Sequence, residues 1–121
     1  MPTSFPKGIA FFGTPVTDKF IGLSDTPGVA KKIIDVTVGA GLTRTLISLK
    51  VACRSEGRYK VLVDSVQVGS GRTGAAQPTD DMLWFVGKEA TAGQKIEVFF
   101  TARSGSPSTQ DLEAYLEQTE V

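Results

Sequence analysis

The stretch over residues 46–71 constrains this chain most, because its apolar residues recur at every second position. Ile47, Leu49, Val51 and Cys53 alternate with Ser48, Lys50, Ala52 and Arg54. After the polar segment Ser55-Glu56-Gly57-Arg58 the same period resumes at Tyr59, Val61 and Val63. A period of two marks a half-buried β-strand, since successive side chains leave a strand on opposite faces. Two such runs around a short Gly-containing segment predict a hairpin. Asp64-Ser65 predicts a second tight turn, and Val66-Gln67-Val68 a short third strand ended by Gly69 and Gly71.

The flanks repeat this pattern. Ile34, Val36 and Val38 alternate before Gly39-Ala40-Gly41 turns the chain. Residues 69–79 read as a loop, residues 82–86 as a short, continuously apolar strand carrying Trp84, and residues 87–94 as another loop. Ile96, Val98, Phe100 and Ala102 alternate with Lys95, Glu97, Thr101 and Arg103. Phe99 interrupts that polar face, which predicts either cover by the N-terminal segment or an interface. Residues 112–117 carry two patterns. Ser108-Thr109-Gln110-Asp111 resembles a helix-capping box, while Leu112, Ala114 and Leu116 alternate as a strand. The strand is preferred, because a short isolated helix needs tertiary support. The whole gives seven or eight short strands and no long helical window. That predicts an all-β fold, an antiparallel β-sandwich of which a jelly roll is one form.

Residues 1–30 behave differently. Pro2, Pro6, Pro15 and Pro27, with Gly8, Gly13, Gly22 and Gly28, interrupt any long ladder or helix. Yet Phe5, Ile9, Phe11, Phe12, Phe20, Ile21 and Leu23 are too apolar for a solvated linker. The segment reads as an extended arm with apolar anchors and an edge strand at residues 19–23, ahead of a sandwich over residues 31–121. Two destinations stay open for it: a partner protein, or one end of its own core.

Several kinds of chemistry find no support. Lys plus Arg and Asp plus Glu are 13 each, so no bulk field gathers nucleic acid or a membrane surface, and neither is expected as a partner. Histidine is absent, which removes the commonest general base and zinc ligand. Cys53 is the single cysteine and sits on the apolar face, where it acts as a small hydrophobe. Gly69-Ser70-Gly71-Arg72-Thr73-Gly74 matches a dinucleotide-binding pattern in letters, but Ala75-Ala76-Gln77-Pro78 opens no helix to meet a pyrophosphate. Asp64, Asp80 and Asp81 lack the alternating spacing of a calcium loop. No acid pair is placed for glycoside hydrolysis. Trp84, Tyr59 and Tyr115 are candidates for stacking on sugars, though aromatic residues in strands belong more often to the core. No signal peptide is evident and no apolar run approaches the roughly 20 residues of a membrane span. The expectation is a soluble product of the cytoplasm, with no catalytic residue, no cofactor and no metal.

Residues 61–74, Val61-Leu62-Val63-Asp64-Ser65-Val66-Gln67-Val68-Gly69-Ser70-Gly71-Arg72-Thr73-Gly74, followed by Ala102-Arg103-Ser104-Gly105-Ser106-Pro107, resemble small β-sandwich structural proteins of tailed bacteriophages, the capsid decoration or cement proteins. The resemblance implies a non-enzymatic virion protein that binds across capsid subunits, with the major capsid protein or another virion protein as partner. It implies a homo-oligomer as well, a trimer in preference to a dimer. From composition, the partner-binding residues are expected to be Phe5, Ile9, Phe11, Phe12, Phe20 and Phe99. A carbohydrate- or receptor-binding sandwich of a phage tail is the alternative.

Overall fold

A computed structural model describes residues 3–4, 10–11, 13–24, 27–103 and 110–121. Its strands are β1 (Thr3–Ser4), β2 (Ala10–Phe11), β3 (Thr14–Leu23), β4 (Ala30–Thr37), β5 (Thr43–Cys53), β6 (Gly57–Val63), β7 (Val66–Thr73), β8 (Thr79–Thr91), β9 (Lys95–Ala102) and β10 (Asp111–Glu120). Among the described residues β1 and β2 pair with each other, and the other eight strands form two four-stranded sheets, β3-β10-β5-β8 and β4-β9-β6-β7. Every pairing is antiparallel. The all-β sandwich expected from the alternation is the fold observed.

The pairing is nested. β6 meets β7, β5 meets β8, β4 meets β9 and β3 meets β10. The chain is therefore one long hairpin, bent over so that successive pairs fall alternately in the two sheets. Its tip is the turn Asp64-Ser65, where both residues have positive φ, 51° and 65°. That is the geometry of a type I′ turn, whose twist matches that of the flanking strands. Two further pairings, β10 with β5 and β9 with β6, complete the sheets.

The expected hairpin over residues 46–63 is absent. β5 and β6 belong to different sheets, and the segment between them crosses from one to the other. Alternation reports which face of a strand is buried, and that is the same for a hairpin and for an arch between sheets. The crossing is fixed at its ends: Cys53 N donates to Pro78 O, and Arg103 N donates to Glu56 O. The phase also slips once. Leu46 and Leu49 both face the core, because Ile47 is an extra residue at a bulge where the register to β10 shifts.

Strand lengths needed correction as well. β7 runs through Gly69 and Gly71 instead of ending there, and β8 continues well beyond Val86. The two glycines stay in the strand because their inner side is occupied. A Cβ on Gly71 would meet the Tyr59 hydroxyl and the Asp80 carboxylate, and one on Gly69 would meet Met82. Residues 112–117 are strand, within β10, with Leu112, Ala114 and Leu116 fully buried. The edge strand expected at residues 19–23 is the second half of β3, which pairs with β10 over its whole length, so the sandwich includes residues that the sequence assigns to the arm.

One aliphatic layer fills the space between the sheets: Leu46, Leu49, Val51, Val61, Ile96, Val98, Leu112, Ala114 and Leu116, all at 0% exposure. Two polar bonds cross it on the β7/β8 side. Tyr59 Oη donates to Asp80 Oδ2 at 2.5 Å, and Trp84 Nε1 donates to Val68 O at 3.0 Å. At the opposite side Arg44 of β5 binds Asp18 of β3 at 2.8 Å and Glu120 of β10 at 2.7 Å, and Gln118 joins them. These groups have partners, so their partial burial is tolerated.

Two outcomes follow from this geometry. Ser65→Gly relieves a positive φ at the hairpin tip and should raise stability by about 0.5–1 kcal/mol in urea unfolding. The Tyr59 hydroxyl is held above its ordinary value near 10, first by burial and then by the bond to Asp80. The folded state thus keeps a proton that the unfolded chain loses, so this stabilisation is complete below about pH 10 and declines as pH rises past it. Urea midpoints at pH 8 and 10.5 should fall further in the parent than in Tyr59→Phe.

Candidate binding face

The outer surface of the β4-β9-β6-β7 sheet is built by the same alternation that fills the core. Tyr59, Val61 and Val63 point inward from β6, which turns Arg58, Lys60 and Leu62 outward. Ile96, Val98, Phe100 and Ala102 point inward from β9, which turns Glu97, Phe99 and Thr101 outward. Register then sets the neighbours. Phe99 stands opposite Lys32 on one side and Lys60 on the other. Both ammonium groups lie over its ring, each 5.6 Å from the centroid. The aromatic that interrupts a charged face is thus capped by cations attracted to its π-surface.

Lys32 also binds Glu97 at 2.8 Å and lies 3.5 Å from Asp35, which Lys95 approaches at 3.7 Å. Its pKa is raised, with the hydrogen bond to Glu97 as the leading cause. Arg103 pairs with Glu56 at 2.9 Å. The β6/β7 half is different. Arg58 and Arg72 are directly opposed across the two strands, and Lys60 faces Ser70 one row along. Among the described residues none of these three cations meets a carboxylate at ion-pair distance. Open depressions run along the face, and Arg72 borders three of them.

A second surface lies on β8, at the edge of the other sheet. Residues 84–87 stand opposite the single residue Ile47 of β5, forming a wide bulge with Gly87 at φ 84°. Trp84 turns inward and is 9% exposed, while Phe85 and Val86 project at 64% and 84%. Leu83 is exposed beside them. Val66, also exposed, lies on β7 two residues before the carbonyl that Trp84 reaches.

Of the residues expected to bind a partner, the structure describes the side chains of Phe20 and Phe99. Phe5, Ile9 and Phe12 lie outside the described residues. Phe11 belongs to β2, paired in register with Thr3, and its side chain is likewise outside the description. Phe20 is partly buried against the core, with Lys31 Nζ 5.3 Å from its ring centroid. Phe99 is on the outer face of the opposite sheet, so the fold does not bring these two together. Lys31 and Lys32, adjacent in β4, each cover one of them. Tyr59 and Trp84 are buried and unavailable for sugar stacking, and Tyr115 donates to Glu113 at 2.6 Å. Cys53 is buried, and burial raises its thiol pKa.

The sequence reading missed Arg58, Lys60 and Arg72, and it missed Phe85 and Val86. Alternation along β6 was enough to turn Lys60 outward, but Arg58 and Arg72 read as turn and loop, so nothing in the sequence opposed one to the other. Phe85 faces out with Leu83 by an alternation that the continuous apolar run hides, and Val86 had no signal, since the bulge releases it from that run. Among the described residues no group of three or more His, Cys, Asp or Glu side chains could hold a metal ion, and no helix is long and apolar enough to cross a membrane.

No family model and no curated protein matches this chain. Among solved structures, the insecticidal δ-endotoxin Cry8Ea1 of Bacillus thuringiensis is similar over 88% of this chain, at a TM-score of 0.41 and 10% identity. The chain spans 19% of that protein's length.

Adjacent residues on opposite faces of β9 should respond very differently to truncation. Phe100→Ala empties core volume and should cost about 3–5 kcal/mol. Phe99→Ala should leave the urea midpoint close to that of the parent.

Proposed function

We propose that this chain is a non-enzymatic structural protein of a tailed-phage virion, a decoration or cement protein that attaches to the capsid and holds adjacent subunits together. The observation that carries this reading is the apolar edge of β8, where Leu83, Phe85 and Val86 are exposed on a strand that pairs on one side alone among the described residues. Unpaired edges with exposed apolar residues are sites of association, and folded proteins ordinarily protect them. The nested pairing of the eight sandwich strands supports the same reading. Read as the wrapping of a jelly roll, it suits an architecture used for capsid and lectin domains.

The energetics favour attachment in multiple copies. Burying Phe85 and Val86 on a partner contributes about 3–6 kcal/mol of transfer free energy. Loss of rigid-body freedom offsets much of that. A homo-oligomer, a trimer in preference to a dimer, makes the later contacts effectively intramolecular. The N-terminal anchors Phe5, Ile9, Phe11 and Phe12 add apolar surface to the same attachment.

The test uses capsid particles stripped of this protein and sedimented with it through a sucrose gradient. The parent chain should co-sediment and protect the particles against heating. Phe85→Glu with Val86→Asp should reduce the bound fraction at least tenfold while leaving the thermal midpoint of the free protein unchanged. Deletion of residues 1–12 should weaken binding and leave the sandwich folded. Undiminished decoration by the double variant would refute the role of the β8 edge.

A further inference from the structure

We propose that the outer face of β6 and β7 is a second binding site, specific for an acidic polysaccharide, with Arg58 and Arg72 holding sugar carboxylates and Lys60 extending the contact. This site is independent of attachment through the β8 edge, which lies on the other sheet.

The argument begins with an unfavourable arrangement. Directly opposed residues of an antiparallel pair sit about 4.5–5.5 Å apart, and like charges placed there destabilise the sheet. Arg58 and Arg72 occupy such a pair, and both are exposed. Elsewhere on this face the cations are neutralised. Lys32 and Lys95 have Glu97 and Asp35 beside them, and Arg103 has Glu56. The same sheet thus neutralises its β4/β9 half and leaves positive charge on its β6/β7 half. A bound anion between the two guanidinium groups removes the repulsion. Arginine suits the task, because its planar fork matches a carboxylate with two parallel hydrogen bonds.

The shape of the face indicates a polymer. One depression lies over Lys60, Gln67, Ser70, Arg72, Phe99 and Thr101. A second continues past Arg58 and Arg72 to Arg103, and a third follows the loop after Thr73. All three border Arg72, so an extended ligand lying across that residue reaches more of them than an isolated ion does.

The groups between the charges select the kind of polymer. Ser70 and Thr101 offer hydroxyls and Gln67 an amide, the donors and acceptors that match sugar hydroxyls. Phe99 offers no stacking platform, because Lys32 and Lys60 already cover its ring. Single-stranded nucleic acid depends on such platforms. Duplex nucleic acid is bound through many phosphate contacts and a strong field, whereas this chain has a formal net charge of zero. An acidic peptide would leave the hydroxyl-bearing positions unused. A chain of uronate-type sugars, carboxylates alternating with hydroxyls, satisfies both sets of groups.

Titration of the full chain with hexagalacturonate, followed calorimetrically at 50 mM salt, tests this. Saturable binding is expected, weakened at least threefold at 300 mM salt because exposed ion contacts are screened. Arg58→Gln with Arg72→Gln should weaken it at least tenfold. Ser70→Asp, which sets a carboxylate against Lys60, should weaken it at least threefold and guards against a folding defect in the double variant. Lys50→Gln, on the opposite sheet, should change nothing. Neutral dextran should not bind. Absence of saturable binding, or equal binding by the arginine variant, the Ser70→Asp variant and the parent, would overturn the proposal. So would equal or tighter binding of a thymidine oligonucleotide or of polyglutamate, since the site would then not be one for sugars.

Discussion

The packing of two sheets against one aliphatic layer is the constraint on which everything else in this molecule depends. Neither sheet can hold its apolar face in water, and each covers the other's. Leu46, Leu49 and Val51 of β5 therefore require Val61 of β6 and Ile96 and Val98 of β9 on the other side. That requirement bends one long nested hairpin into two layers. It also explains why all but one of the connections between sandwich strands pass between sheets, the exception being the Asp64-Ser65 tip. Hydrophobic burial supplies the driving force, and the pairing pattern directs it.

Closure sets the chemistry of the remaining surface. Each residue drawn inward fixes the outward direction of its neighbours, so a strand that buries Tyr59 and Val61 must present Arg58 and Lys60. The buried polar bonds work at the margins. Tyr59 to Asp80 and Trp84 to Val68 tie β6 and β7 to β8 across the open side, and the Arg44 cluster joins β3, β5 and β10 within one sheet. Anchoring Trp84 has a consequence for its neighbours, because the alternation that turns Met82 and Trp84 inward leaves Phe85 outside, and the bulge leaves Val86 there with it. The apolar edge and the cationic face thus share one origin, as the surfaces left over when a single core closes.

Much of the fold is legible in single residues. The alternations at Ile34-Val36-Val38, at Tyr59-Val61-Val63, at Ile96-Val98-Phe100 and at Leu112-Ala114-Leu116 each place a strand with its buried face correctly turned. The turn at Asp64-Ser65 is legible too. What misleads are residues whose role depends on a distant partner. Gly69 and Gly71 read as strand terminators, yet remain in β7 because Met82, Tyr59 and Asp80 fill the space beside them. Ile47 reads as a core position in phase with Leu49, yet is an added residue at a bulge against β10. Phe85 and Val86 read as core because their neighbours in sequence are apolar. The site residues were harder still, since Arg58 and Arg72 become a pair only through a register that neither encodes alone.

By itself, then, the sequence determined the class of fold, the faces of most strands, one tight turn and the lack of histidine-based or paired-thiol chemistry. These are local properties, written in the period of hydrophobicity and in the conformational preferences of neighbouring residues. Only the tertiary structure decided which strands share a sheet, where the chain crosses between layers, and which cations lie side by side without a counter-charge. Alternation is the same for a strand paired with its successor and for one paired with a strand sixty residues away. The choice between them rests on how two whole faces fit against each other, a property no short stretch of the chain contains.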